Sequence, residues 1–288
     1  MKMTSPDMQA IREQVSNALI EDLGGELNAA NDITANLIDE NVNAKATIIT
    51  REPCVVCGIA WANQAFALID ESVSLTWHVK DGDKVDANTV LVSLEGSARA
   101  ILTAERTALN FLQTLSATAT VTAFYAKYLD GSNTKILDTR KTTPGLRLLE
   151  KYAVNKGGGH NHRLDLSSGV MVKDNHINNN LEYINRKLKK LKNKIPIQIE
   201  IDTIKQITKR NISIADALLL DNMKPNQIKK CIDRINYLKN KSKTLFIEVS
   251  GGITLETLPK YNIKGVNGIS IGALTRQIKS VDIGLDIL

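Results

Sequence analysis

Aromatic side chains are scarce in this chain. They make up 4% of its 288 residues, against 43% hydrophobic residues overall. The core must therefore be built from Ile, Leu, Val and Ala, and no interleaved aromatics are available to stack single-stranded bases. Cysteines number three, too few and too odd for a disulfide framework. Two of them form Cys54-Val55-Val56-Cys57, an apolar strand-like run with no second pair to complete a zinc site, so they are read as core. No apolar run approaches the ~20 residues of a membrane helix, and the N-terminus leads into a helical pattern rather than an apolar signal core. A cytoplasmic chain with no membrane contact is expected. Nucleophile elbow, HExxH and Walker loop are all missing.

Charge is present but is not patterned for nucleic acid. The net charge is +6, and much of the excess lies in residues 186–194 and 229–243. Leucines and isoleucines at helical spacing interrupt both stretches, as on the solvated faces of amphipathic helices. No nucleic-acid partner is expected.

Residues 137–176 carry the strongest signal. Arg140, Lys141, His162, Arg163 and Lys173 fall there in loops, around the run Gly157-Gly158-Gly159, with three of the four histidines (His160, His162 and His176). Glycine weakens helix and strand alike, so the run marks loop geometry in which side chains and amides can converge on an anion.

The chain is long enough for one large barrel or two domains. A first helix is expected up to about residue 23, capped by Ser5 or Asp7 and ended by Gly24-Gly25. Strands follow in 44–57, a helix in 58–70, and short alternating strands with Asp-Gly turns in 73–96. A long helical pattern runs from Ile101 to Leu129. Short buried-type strands then recur: 135–138, 169–173, 197–201, 217–221, 245–249 and 268–272. Nearly every one delivers a polar residue or glycine at its C-terminal end, including Lys173, Glu200, Asp221, Ser250 and Gly272. In a parallel α/β barrel those ends meet at one mouth, whereas a doubly wound sheet concentrates them at its switch point. Six contributing strands favour the barrel.

Such a mouth holds a cationic wall, two isolated carboxylates and a glycine-built cradle at Ser250-Gly251-Gly252 and Gly272. A phosphorylated, multiply anionic substrate and Mg²⁺ would satisfy all three. The carboxylates could instead accept from sugar hydroxyls, and a Schiff base at Lys173 is conceivable.

These motifs, in this order, resemble the quinolinate phosphoribosyltransferases, also called nicotinate-nucleotide pyrophosphorylases (carboxylating). The resemblance covers essentially the whole chain. It includes Glu105-Arg106-Thr107-Ala108-Leu109-Asn110, Asp138-Thr139-Arg140-Lys141-Thr142-Thr143-Pro144-Gly145, and Gly157 to Arg163. It continues through Lys173-Asp174-Asn175-His176, Ile199-Glu200-Ile201, Leu220-Asp221-Asn222-Met223, Glu248 to Ile253, and Ile269 to Thr275.

The resemblance implies an N-terminal α/β sandwich-like domain over 1–115 and an irregular, open α/β barrel of type II phosphoribosyltransferase kind over 116–276, with 277–288 returning to the first domain. It implies a homodimer with shared active sites, converting quinolinate and phosphoribosyl pyrophosphate to nicotinate mononucleotide, pyrophosphate and CO₂ with Mg²⁺, in NAD biosynthesis. By the same resemblance Arg140, His162, Arg163 and Lys173 hold the quinolinate carboxylates, with Arg106 reaching in from the neighbouring subunit. Lys141, Glu200 and Asp221 face phosphoribosyl pyrophosphate and its metal, and Ser250, Gly251, Gly252 and Gly272 cradle phosphate. The catalytic set is Lys141, Lys173, Glu200 and Asp221. Two departures stand out: Arg276 replaces the usual histidine, and Gln198 replaces the first Glu of a Glu-Val-Glu strand. The alternatives are a molybdate-uptake-linked paralogue and a non-catalytic sensor of phosphoribosyl pyrophosphate or a pyridine nucleotide.

Overall fold

The computed structural model describes residues 7–173, 181–240 and 242–288. The chain forms two compact units. Of the described residues, one unit contains 7–123 together with Leu148–Gly158 and Gln277–Leu288; the other contains those of Phe124–Arg147 and Gly159–Arg276.

In the first unit, helix α1 (Met8–Asp22) starts where the Asp7 carboxylate accepts the Gln9 N–H at 3.1 Å. It buries Ile11, Val15 and Leu19, spaced four apart on one face. The chain leaves it through Gly24 and Gly25, both at positive φ. Strands β1 (Asn43–Thr50), β2 (Cys54–Val55), β3 (Ser74–Trp77), β4 (Lys84–Val85) and β5 (Thr89–Ser97) follow, with helix α2 (Ile59–Ile69) between β2 and β3. The main sheet is antiparallel, and the C-terminal strand β12 (Ile283–Ile287) completes it in the order β12-β1-β5-β3. Ala46, Ile48 and Thr50 alternate inward on β1, giving the sheet one buried face.

Helix α3 (Ala98–Lys127) leads out of this sheet, and helix α4 (Arg147–Lys156) returns the chain to the unit. The Tyr152 hydroxyl donates to Asp81 Oδ2 at 2.7 Å. Asp81 Oδ1 accepts from the amides of Gly58 and Ile59 at the start of α2. Burial and the Asp81 carboxylate together push the Tyr152 phenol well above its ordinary range. At Gly157 a Cβ would lie 2.2 Å from the Ala119 carbonyl oxygen. The first glycine of the run therefore serves close packing on α3 rather than anion contact.

The second unit is a six-stranded, all-parallel sheet. Its strands are β6 (Lys135–Leu137), β7 (Val170–Val172), β8 (Ile197–Ile201), β9 (Ala217–Asp221), β10 (Phe246–Ser250) and β11 (Gly268–Ser270), in the order β6-β11-β10-β9-β8-β7. All five residues of β8 are buried, as a strand covered on both faces requires. Helices at Leu181–Leu191, Lys209–Ile214 and Pro225–Leu238 connect successive strands. Beyond β6, His160 adds a parallel bridge to Leu137. His162 is thereby five inter-strand steps from β8, about 24 Å across a flat sheet. Its ring nevertheless lies 2.9 Å from Gln198 of β8. The sheet is curled into an α/β barrel, and among the described residues no ladder joins β7 to the His160 edge.

Candidate active site

The parallel register aligns the C-terminal ends of the strands, with Ser250 opposite Asp221, Ile201 opposite Leu220 and Val172 opposite Ile199. Those ends bring the acidic residues together. Carboxylate oxygens of Glu200, Asp202 and Asp221 lie within 4.8 Å of one another. Glu200 is buried and pairs with the Lys173 ammonium at 2.6 Å. Asp221 Oδ1 accepts from the Ser250 hydroxyl, and its Oδ2 accepts from the Asn222 amide at 2.7 Å. The Asn222 N–H is bonded to the Ser250 carbonyl at 3.0 Å, which pins the end of β9 to the end of β10.

Cations collect where the chain leaves β6 and on the loop after His160. Buried Asp138 organises both segments, since Oδ1 accepts the His162 N–H at 2.8 Å and Oδ2 accepts from Asn161 at 2.6 Å. Arg163 donates to the Gly169 carbonyl at 2.9 Å. Burial, and then the neighbouring Arg140 guanidinium, hold Arg163 below the usual arginine range. Arg140 Nε is buried with no hydrogen-bond partner. Two like charges brought together with an unanswered donor leave a place for an anion with more than one acceptor. Lys141 is tied down through its carbonyl, which accepts from Thr275 at 2.7 Å, and its stem passes Gly272, where a Cβ would stand 3.6 Å from Lys141 Cδ. Gly251 and Gly252 both take positive φ.

Of the residues expected to act, Lys173 pairs with Glu200, Asp221 pairs with Ser250, and the Arg140 charge acts on Arg163. Arg106 belongs to the first unit, where it is exposed and 4.0 Å from Glu105. His176, with the rest of its Lys-Asp-Asn-His motif after Lys173, lies outside the described residues. Three further residues contribute: Asp202 and Glu248, which the sequence marked as strand-end acids without assigning them a role, and Arg147, which carried no signal. Asp202 joins the carboxylate group. Glu248 binds His162, Gln198 and Ser270. Arg147 spans two loops, donating to Thr142 at 3.1 Å and to the carbonyls of Leu164 and Arg140 at 3.5 Å each.

A parallel α/β barrel with two guanidiniums that feel each other's charge, a carboxylate trio and a glycine turn on the loops after its strands defines an enzyme class acting on phosphorylated, multiply anionic substrates. The family profiles of the quinolinate phosphoribosyl transferase N-terminal and C-terminal domains match residues 32–116 and 118–286. The chain belongs to the quinolinate phosphoribosyltransferase family. It is 38% identical over 280 residues to a probable nicotinate-nucleotide pyrophosphorylase (carboxylating) of Bacillus subtilis, covering 96% of this chain and 93% of that one. Over 288 residues it is 33% identical to the nicotinate-nucleotide pyrophosphorylase (carboxylating) of Mycobacterium leprae, covering 98% of each. The solved nicotinate-nucleotide pyrophosphorylase of Francisella tularensis superposes with a TM-score of 0.90 at 36% identity, over 100% of this chain and 99% of the other.

Proposed function

We propose that this protein transfers the phosphoribosyl group of phosphoribosyl pyrophosphate to quinolinate with loss of CO₂, giving nicotinate mononucleotide and pyrophosphate for NAD biosynthesis. The observation that carries this reading is the buried, unpartnered Nε of Arg140, whose charge also acts on the partly buried Arg163 guanidinium. Quinolinate carries two adjacent carboxylates, and two guanidiniums supply the planar, charge-assisted donors they need.

The free site is paired internally, and substrates would exchange those pairs. Lys173 neutralises Glu200 at 2.6 Å. A quinolinate carboxylate draws the ammonium away, which frees Glu200 to face the ribose. As the bond from the anomeric carbon to pyrophosphate lengthens, positive charge builds on that carbon, and Glu200 and Asp221 stabilise it. The quinolinate ring nitrogen attacks the same carbon. The bond to the adjacent carboxylate then breaks; CO₂ leaves, the bonding pair stays on the ring carbon beside the electron-withdrawing pyridinium nitrogen, and that carbon takes up a proton from water. Lys141 and the Ser250-Gly251-Gly252 turn are assigned to phosphate, with Gly272 beside the Lys141 stem.

The donor set also fits Mg²⁺, since Glu200, Asp202 and Asp221 offer hard carboxylate oxygens close together, without thiol or imidazole. When bound, the ion supplies charge neutralisation for the departing pyrophosphate.

We further propose a homodimer in which Arg106 serves the partner's site. Its side chain is 64% exposed, and the same unit exposes Ile33 and Leu37 at 81% and 84%, apolar surface of the kind a twofold partner covers. No helix among the described residues is long and apolar enough to cross a membrane. We place the protein in the cytoplasm.

Incubation with phosphoribosyl pyrophosphate, Mg²⁺ and either quinolinate or nicotinate tests the substrate. Nicotinate mononucleotide should form from the diacid, with the monoacid at least ~10-fold poorer because one charge-assisted pair is lost. Equal use of nicotinate would overturn the assignment of Arg140 and Arg163.

A further inference from the structure

Both ring nitrogens of His162 are committed. Nδ1 accepts the backbone N–H of Arg163 at 2.7 Å. Nε2 faces Gln198 Oε1 at 2.9 Å and Glu248 Oε2 at 3.1 Å. The direction of the second pair is fixed by its surroundings. Gln198 Nε2 donates to Glu248 Oε2 at 2.6 Å, which turns its carbonyl oxygen toward the imidazole. Glu248 Oε1 meanwhile accepts the Ser270 hydroxyl. The two atoms facing Nε2 are thus acceptors, so Nε2 carries a proton. The group facing Nδ1 is a donor, so Nδ1 carries none. An imidazolium would set one N–H against another at 2.7 Å. The cluster is enclosed, with the Glu248 side chain 3% exposed and that of His162 16%.

We propose that Gln198, Glu248 and Ser270 are positioning residues that hold His162 as a neutral Nε2–H imidazole, and that His162 serves the quinolinate subsite by fixing the Arg163 peptide rather than by contributing a positive charge. This rests on the function proposed above. The anchored peptide sets where the Arg163 side chain departs, and the guanidinium at its far end also grips the Gly169 carbonyl. The amide at Gln198 matters because it both donates and accepts. It lets the Glu248 carboxylate and the imidazole share one closed set of bonds without a further proton. A glutamate there would leave two carboxylates facing one ring, which cannot be satisfied in the same way. The charge facing quinolinate within one chain then reduces to Arg140, Arg163 and Lys173.

Two measurements decide the matter. Histidine-specific ¹⁵N NMR of the free, full-length protein at pH 7, with His162 assigned by its loss in His162→Ala, should give the neutral Nε2–H pattern. Imidazolium or Nδ1–H shifts would overturn the proposal, and this result does not depend on turnover. Steady-state kinetics supply the second. In His162→Asn the new side-chain carbonyl oxygen can replace Nδ1 as acceptor for the Arg163 amide, whereas alanine cannot. His162→Ala should raise the quinolinate KM about 30-fold and His162→Asn only about threefold, with kcat and the phosphoribosyl pyrophosphate KM within about twofold. Gln198→Met should raise the quinolinate KM about tenfold by loosening the ring. Equal losses in the asparagine and alanine variants would mean that positive charge was the contribution. A wild-type protein that turns over no quinolinate would instead sink the proposed function, leaving the NMR result to judge the tautomer alone.

Discussion

Gly251 and Gly252 are adjacent, both at positive φ, and should respond very differently to a single methyl group. At Gly251, with φ +105°, a Cβ would stand 2.2 Å from Asn222 Oδ1 and 2.7 Å from both the Asn222 Cα and N. At Gly252, with φ +59°, nothing lies within 4 Å. Carbon contacts are comfortable at ~3.5 Å, so Gly251→Ala must open the junction between β9 and β10 by about 0.8 Å. Overpacking of this sort costs ~1–3 kcal/mol, and the disfavoured backbone adds ~1–2 kcal/mol. Gly252→Ala bears only the second cost. The junction carries Asp221, and a displacement approaching 1 Å at a site can cost on the order of 100-fold in rate. Thermal unfolding should place Gly251→Ala well below Gly252→Ala. Kinetics should show a 10- to 100-fold fall in kcat/KM for phosphoribosyl pyrophosphate in Gly251→Ala. Quinolinate binding measured calorimetrically without the second substrate should stay within about twofold in both variants, because Arg140 and Arg163 are elsewhere. Equal melting temperatures, or an unchanged kcat/KM in Gly251→Ala, would refute the reasoning.

Lys173→Met removes the ammonium 2.6 Å from buried Glu200 and should destabilise the metal-free protein by ~1–3 kcal/mol. Mg²⁺ should then raise the melting temperature of the variant more than that of wild type; equal shifts would mean that Glu200 is no ligand. Arg106→Ala and Lys173→Ala should each be nearly inactive, and mixing them with random subunit exchange should restore about a quarter of wild-type activity by twofold pairing statistics. No recovery, with exchange verified separately, would place Arg106 in its own subunit's site or in none. Burial pushes the thiols of Cys54, Cys57 and Cys231 up, so at pH 8 each holds less thiolate than a free cysteine. A thiol reagent should find none of the three reacting quickly in the native protein and all three after denaturation. A fast native thiol would contradict the packing around them.

The α/β class, the parallel strands and the long helix were legible because their signals are local. Buried runs such as Ile197–Ile201 and Ala217–Asp221 announce themselves within five residues, and Asp7 and Gly24-Gly25 punctuate α1. Pairings between distant segments were not legible. Nothing in Ile283–Ile287 says that it will pair with Asn43–Thr50, because an edge partner is chosen by tertiary packing rather than by composition. The glycine run was read as one loop feature, yet Gly157 is small because Ala119 approaches it, a reason held by another helix. The site divides along the same line. Residue types and strand-end positions could be read in order along the chain. The Lys173–Glu200 pair and the inward cluster of His162, Gln198, Glu248 and Ser270 could not, since four segments meet there only once the sheet curls. Gln198 was visible as a departure from the family pattern, but its role required the geometry of its neighbours.

The central claim is chemical, and carboxyl-labelled quinolinate tests it most directly. With the label on the carboxylate adjacent to the ring nitrogen, the protein should release labelled CO₂ only when phosphoribosyl pyrophosphate and Mg²⁺ are both present, in step with nicotinate mononucleotide. Release that ignores phosphoribosyl pyrophosphate, or no release with the complete mixture, would contradict the account.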